Sequence, residues 1–245
     1  MNATTARKAV LADIELPDFG MPLSEPLLPQ SIYVGRMERL RGLMEARSYD
    51  HVVVWADREH SANLAYLSGF DPRFEEAVLI VSSSGDPALL VGNECHGVAE
   101  AAPLLMRCVR FQDLSLPGQP RDSSLPLPEI LGSEGITTGG RVGVVGWKMY
   151  ASRDTMEAPS FLVDELRRLT GATGLVENAS DMFIASPDGL RVVNEVEQLA
   201  AFEWAACQTS RGVRNVLTGL RPGMTEREAV RLLEWNGTRC PAISC

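Results

Sequence analysis

The chain has 245 residues, 45% hydrophobic and 22% charged, with a formal net charge of -9. That length buries a core without disulfides or a structural metal, and the composition excludes collagen-like, coiled-coil, disulfide-scaffold and wholly disordered proteins. The acidic balance argues against the basic face that nucleic acid or an anionic membrane surface requires.

The stretches Asp18 to Pro22 and Glu25 to Pro29 carry three prolines and no sustained period, which predicts an extended tail over residues 1–28. From Ser31 a helical period begins, with Met37, Leu40, Leu43 and Met44 on one face. Val52 to Trp55 reads as a buried strand and Arg58 to Leu67 as a helix stopped by Gly69. Ala77 to Val81 and Ala88 to Val91 read as two strands of a hairpin turned at Ser84-Gly85-Asp86-Pro87. A helix is expected over Cys95 to Leu105, a short strand over Cys108 to Phe111, and a Pro/Ser-rich loop over 115–128. A short helix from Pro128 to Ser133, a strand over Arg141 to Val145, and helices over Phe161 to Leu169 and Ala179 to Ala185 follow.

Ser186-Pro187-Asp188-Gly189 breaks this alternation. One long helical pattern then runs from Val192 to Leu220 and stops at Pro222-Gly223. Thr225 and Glu228 have the spacing of a capping box for a last helix reaching Gly237. Strands alternating with helices, plus one hairpin, predict an α/β domain with a mixed sheet. The expected organisation is a tail over 1–28, an α/β domain over 29–186 and a helical segment over 187–245.

The residues capable of chemistry are sparse. Cys95, Cys108, Cys207, Cys240 and Cys245 form no Cys-x-x-Cys pair, which predicts free thiols in a reducing compartment. Met1 to Ala12 has no apolar signal core and no run approaches ~18 apolar residues, so a cytoplasmic protein without a membrane span is expected. Glu94-Cys95-His96 are adjacent, and adjacent side chains point different ways instead of chelating one ion. Asp57 stands where it would cap the helix of His60. Gly140 to Gly146 lacks nucleotide-loop spacing and lies in a strand, there is no Gly-x-Ser-x-Gly elbow, and neither Cys95 nor Cys108 has an evident His partner.

Four segments follow one another in order: Met37 to Met44; Asn63-Leu64-Ala65-Tyr66-Leu67-Ser68-Gly69-Phe70; the hairpin Ala77 to Val91; and Leu190 to Glu197 with the long helix and Arg221-Pro222-Gly223-Met224-Thr225-Glu226. Together they resemble the creatinase/Xaa-Pro peptidase group, the pita-bread metallopeptidases that carry an N-terminal α/β domain. Asn194 stands where the family usually has Lys. The resemblance implies a creatinase N-terminal-type domain with a mixed sheet flanked by helices, then the linker and first helices of an incomplete catalytic domain. Family peptidases bind two metal ions through two Asp, one His and two Glu downstream of the Pro-Gly-x-Thr-Glu turn. Those positions would fall beyond Cys245, so no catalytic residue and no metal ligand is carried over.

The resemblance therefore implies a non-catalytic N-terminal part of an Xaa-Pro aminopeptidase- or dipeptidase-type hydrolase, contributing to oligomerisation and substrate access. Two divalent ions (Mn, Co or Zn) and a peptide substrate are expected for a full-length parent, none of them in this chain. Self-association is the expected partnership, with no nucleic acid and no membrane. In the family the loop after the Tyr-Leu-Ser-Gly-Phe stretch faces a catalytic domain, so Phe70, Asp71, Arg73, Phe74 and Glu75 are candidates for a substrate entrance. The alternatives are part of a creatinase-type amidinohydrolase or lyase relative, or a stand-alone binding or dimerisation module.

Overall fold

The structure, a computed structural model, describes residues 24–234 together with Ala12, Asp13, Glu15, Gly20 and Pro22. The tail expected over 1–28 lies largely outside the described residues; those of its residues that are described form no helix or strand. The described residues fall into two compact units. The larger covers 26–205; the smaller joins 206–234 with the described residues before Pro26.

The larger unit is built on six strands: β1 (His51–Ala56), β2 (Ala77–Ser82), β3 (Ala88–Val91), β4 (Arg107–Arg110), β5 (Arg141–Val145) and β6 (Leu175–Asn178). Their order is β4-β3-β2-β1-β5-β6. Only β2 runs antiparallel to its neighbours, so the mixed sheet is one hairpin set into a parallel frame. In β1 all six residues are buried, because helices cover both faces and an apolar run with no polar alternation suits that position.

Alternation along the strands divides the core. Val52, Val54 and Ala56 face α1 (Gln30–Arg47), α2 (Ala62–Ser68) and α6 (Asp181–Ile184), together with Phe70, Cys95 and Leu104. Val53, Trp55, Val142 and Val144 face α4 (Leu127–Ser133) and α5 (Ser160–Thr170), together with Phe111, Leu114 and Ile136. Helix α1 buries Arg36, Met37, Leu40 and Met44, a stripe at three- and four-residue spacing that includes one cation. Edge strand β4 carries Arg107 and Arg110 at its ends, both exposed, which discourages pairing with another chain.

Several expectations are corrected. Helix α2 starts at Ala62, not Arg58, because the Asp57 carboxylate accepts from the backbone N–H groups of Glu59 (2.9 Å) and His60 (2.8 Å) and closes a turn there. Asp57 thus caps a turn and not the helix. The helix expected over Cys95 to Leu105 is the four-residue α3 (His96–Ala99), since Pro103 cannot donate to a continuing ladder. Residues 112–114, between the expected strand and the expected loop, form a 3-10 turn, and β6 had no counterpart among the expected strands.

The long helix α7 (Val196–Gly219) begins four residues late. The N–H groups of Leu190 and Arg191 donate instead to Met182 and Phe183 carbonyls (both 2.9 Å), tying the segment to α6. In the smaller unit α7 runs on to Gly219 and α8 (Glu226–Arg231) follows. Thr225 and Glu228 form the expected capping box: the Glu228 N–H donates to Thr225 Oγ1 at 3.3 Å, and the Thr225 N–H donates to Glu228 Oε2 at 2.8 Å. Helix α8 ends at Arg231 and Leu232 and Leu233 form a turn, so the expected helix stops short; residues 235–237 of its expected span lie outside the described residues.

Candidate functional site

The loop between α2 and β2 carries all five candidate entrance residues, and the structure splits them. Gly69 ends α2 in the left-handed region at φ 72°. Phe70 turns straight into the core, 2% exposed, and its N–H donates to Ser68 Oγ at 3.1 Å. Asp71 forms an Asx turn by accepting from the Arg73 N–H at 3.0 Å, and Arg73 itself sits at φ 63°. The Arg73 side chain and Phe74 point outward, 50% and 56% exposed.

Glu75 goes the other way and is 1% exposed. Its carboxylate accepts from two backbone N–H groups, Glu94 at 3.1 Å and Cys95 at 2.9 Å. A Cβ at Gly92 would stand 2.8 Å from that carboxylate, so glycine is required there. Cys95 donates its thiol to the Pro72 carbonyl at 2.9 Å, and burial, with Glu75 adding to it, pushes the thiol up to about 12. Such a thiol is inert at neutral pH. The outer surface of the loop is therefore Asp71, Arg73 and Phe74, held by the buried anchors Phe70 and Glu75.

A second constellation was not among the sequence candidates. Arg36, on the inner face of α1, donates to the Tyr66 carbonyl (2.8 Å), to Glu195 Oε2 (2.7 Å) and to Gln198 Oε1 (3.0 Å). Its guanidinium lies over the Tyr66 ring, 4.0 Å from the centroid. Arg39 also pairs with Glu195 and donates to the Tyr66 hydroxyl at 2.8 Å; that hydroxyl donates to the Leu190 carbonyl at 2.7 Å. Asn63 accepts from Arg191 Nη1 at 3.0 Å and donates to the Gly146 carbonyl at 2.6 Å. Burial pushes the Glu195 carboxyl up, but hydrogen bonds and charge from Arg36 and Arg39 outweigh it and hold the group below its ordinary value.

The remaining histidines make local contacts. His51 Nε2 meets the Glu134 carbonyl at 2.9 Å, His60 pairs with Asp57 at 3.0 Å, and His96 lies 3.7 Å from Glu100. Among the described residues no three His, Cys, Asp or Glu side chains converge to hold a metal ion. The described residues therefore do not fit a dinuclear centre. Cys95, Cys108 and Cys207 are free thiols, while Cys240 and Cys245 lie outside the described residues. No helix of the described residues is long and apolar enough to cross a membrane.

Residues 36–179 match the model of the Creatinase/Prolidase N-terminal domain. The chain belongs to that family. The creatinase/prolidase N-terminal fold also relates it to solved structures. The prolidase from Pyrococcus horikoshii OT3 superposes with a TM-score of 0.55 at 14% identity, covering 82% of this chain and 47% of that one. The prolidase from Pyrococcus furiosus gives 0.55 at 18% identity, covering 81% and 51%. The X-Pro aminopeptidase from Thermotoga maritima MSB8 gives 0.57 at 15% identity, covering 81% and 47%. At these identities the likeness is one of fold. The chain spans about half the length of these structures. No curated protein matches it.

The second constellation reaches across the end of that match. Arg36, Asn63 and Tyr66 lie inside the creatinase/prolidase N-terminal domain, whereas Leu190, Arg191, Glu195 and Gln198 lie past its end at residue 179. The motif Asn63-x-x-Tyr66 thus works through its polar groups: it clamps the segment that leads into α7.

Proposed function

We propose that this creatinase/prolidase N-terminal domain is the non-catalytic part of a metal-dependent peptidase of Xaa-Pro aminopeptidase or dipeptidase type. In this reading residues 29–186 form the N-terminal domain, and 187–245 are the linker and first helices of a catalytic domain. The observation that carries it is the clamp: Arg36, Asn63 and Tyr66 hold the 190–198 segment at the base of a helix that runs on past the domain. The fold it shares with solved prolidases and an X-Pro aminopeptidase supports the substrate class.

Within that reading the half-buried Asp71 and the exposed Arg73 and Phe74 border the substrate entrance of a catalytic domain, and Phe70 and Glu75 keep the loop in place. The chain self-associates, works in the cytoplasm, and serves a catalytic domain that holds two divalent ions (Mn, Co or Zn) on its own carboxylates and histidine. The intact mass of the polypeptide in its source cells is the first test, with a species near twice the mass of this chain expected. That species, purified, should cleave Xaa-Pro peptides in a metal-dependent way, and Arg73→Ala should raise KM more than it lowers kcat. A longer species that cleaves creatine but no Xaa-Pro peptide overturns the substrate assignment. A species of this chain's own length overturns the assignment to a peptidase and leaves a binding module.

A further inference from the structure

Neighbouring parallel strands β1 and β5 send the chain to opposite faces of the sheet. After Ala56 it enters α2, whose Leu64 and Leu67 pack on one face; after Val145 it leads to α5, whose Leu162 and Leu166 pack on the other. Where successive connections diverge in this way, a crevice opens at the carboxyl ends of the strands, and open α/β sheets bind ligands there.

The walls of this crevice are unusual for a surface loop. From the β1 side comes His60, whose ring stacks on Trp147 at 4.5 Å between centroids and 16° between planes. From the β5 side come Trp147 and Tyr150, which stay 45% and 39% exposed. The Lys148 ammonium lies over both rings, 5.9 Å from the Trp147 centroid and 5.1 Å from that of Tyr150. The frame behind them is built from buried amides. Asn63 donates to the Gly146 carbonyl at 2.6 Å, and Asn178 donates to those of Lys148 (3.1 Å) and Thr155 (2.9 Å).

Against Gly146 stands Glu157. A Cβ at position 146 would lie 2.6 Å from Glu157 Oε2, so only glycine lets the carboxylate reach the strand end. Both carboxylate oxygens are shut off from solvent, and neither has a hydrogen-bond partner of proper geometry. The Tyr150 phenol beside it has a raised pKa, through desolvation first and then this carboxylate. A carboxylate shut off from solvent, with the Tyr150 phenol beside it but no paired cation, is costly and is relieved by one, and exposed aromatic faces attract the same kind of ligand.

We propose that the crevice at the carboxyl ends of β1 and β5 binds a small organic ammonium ion, with Glu157 as its counter-ion and the Trp147 and Tyr150 rings as its walls. The Lys148 ammonium holds the place over the rings until the ligand arrives. Lys148 swings off the two rings as the ligand enters. This site lies apart from the entrance loop 70–75 and does not rest on the peptidase reading.

The test is isothermal titration of the full chain with tetramethylammonium chloride and with butylammonium chloride, using sodium chloride as the control. Both organic cations should bind saturably and sodium should not. Trp147→Ala should weaken both by about tenfold, the scale of one desolvated cation–ring contact. Glu157→Gln should weaken butylammonium most, since only that ligand can donate to the carboxylate, and Lys148→Met should tighten both. Circular dichroism of each variant checks its fold; if Glu157→Gln does not fold, Trp147→Ala and Lys148→Met decide between them. No saturable heat from either organic cation overturns the proposal. So does an affinity that neither of those two variants changes.

Discussion

Glu75 and Glu195 are both carboxylates drawn into the larger unit, but they are satisfied in opposite ways. Glu75 accepts from two backbone N–H groups of Glu94 and Cys95, with no cation among its hydrogen-bonding partners. Glu195 is held by the Arg36 and Arg39 guanidiniums, and the Arg36 bond spans a sequence separation of 159 residues. The first arrangement shapes a loop, because neutral donors fix a carboxylate without requiring a distant element. The second joins an outlying segment to the domain, because charge-assisted bidentate pairing is strong and directional. A loop anchor tolerates changes in charge far better than changes in shape. A clamp behaves the other way round.

The largest expected effect comes from removing the buried cation. Arg36→Met should cost about 3 kcal/mol in urea unfolding, since Glu195 and the Tyr66 carbonyl lose their inner donor. The double variant Arg36→Met/Glu195→Leu should recover much of it. If the double variant is as unstable as the single, Arg36 works by packing alone and the contrast with Glu75 disappears.

Shape is next. Gly92→Ala should cost about 2 kcal/mol, because its Cβ would press on the Glu75 carboxylate at 2.8 Å. A neutral result in the same urea measurement would mean the loop gives way freely and Glu75 is no anchor.

Acid tests the clamp directly. The native value of Glu195 lies below its ordinary 4.5, and that of Asp181, held by Arg47 and Arg153 against the opposing effect of burial, lies below 3.8. For groups depressed in the native state, the stabilisation is complete above the ordinary values and is lost as pH falls through the native ones. Stability should therefore decline on acidification from about pH 5 downward. The slope should be shallower in Arg36→Met and unchanged in Gly92→Ala.

The smallest effect is kinetic. With its thiol pushed up to about 12 and buried, Cys95 should react with iodoacetamide far more slowly than Cys207 at neutral pH. Glu75→Gln should speed it modestly; equal rates for the two thiols in the native chain would contradict the anchored loop.

Much of the architecture was legible because it is local. Val52 to Trp55, Ala77 to Val81 and Arg141 to Val145 are runs of branched and apolar residues with no other stable use than buried strands. The capping box at Thr225 depends on residues three apart, so it is read directly. Strand β6 was not legible: Leu175-Val176-Glu177-Asn178 is short and half polar, and it becomes a strand only through parallel pairing with β5. The start of α7 was misplaced because the segment before it is tied down outside a helix: Leu190 and Arg191 donate to carbonyls of α6, and Val192 donates to the Gly189 carbonyl.

The candidate site divides along the same line. That the loop 70–75 joins a helix to a strand follows from the order of the residues. Which of its side chains face outward does not, since Glu75 and Arg73 are both charged and only the N–H groups of Glu94 and Cys95 draw one of them inward. Arg36 likewise looks like any solvated helix charge beside Arg39 and Arg41 until Glu195 is brought back to it. The sequence by itself determined the alternation of elements, the mixed sheet and, through its ordered motifs, the family. Tertiary structure alone decided which polar groups are buried and by what they are satisfied. Periodicity records hydrophobic burial along a segment, whereas a buried charge is settled by a partner that folding supplies from elsewhere in the chain.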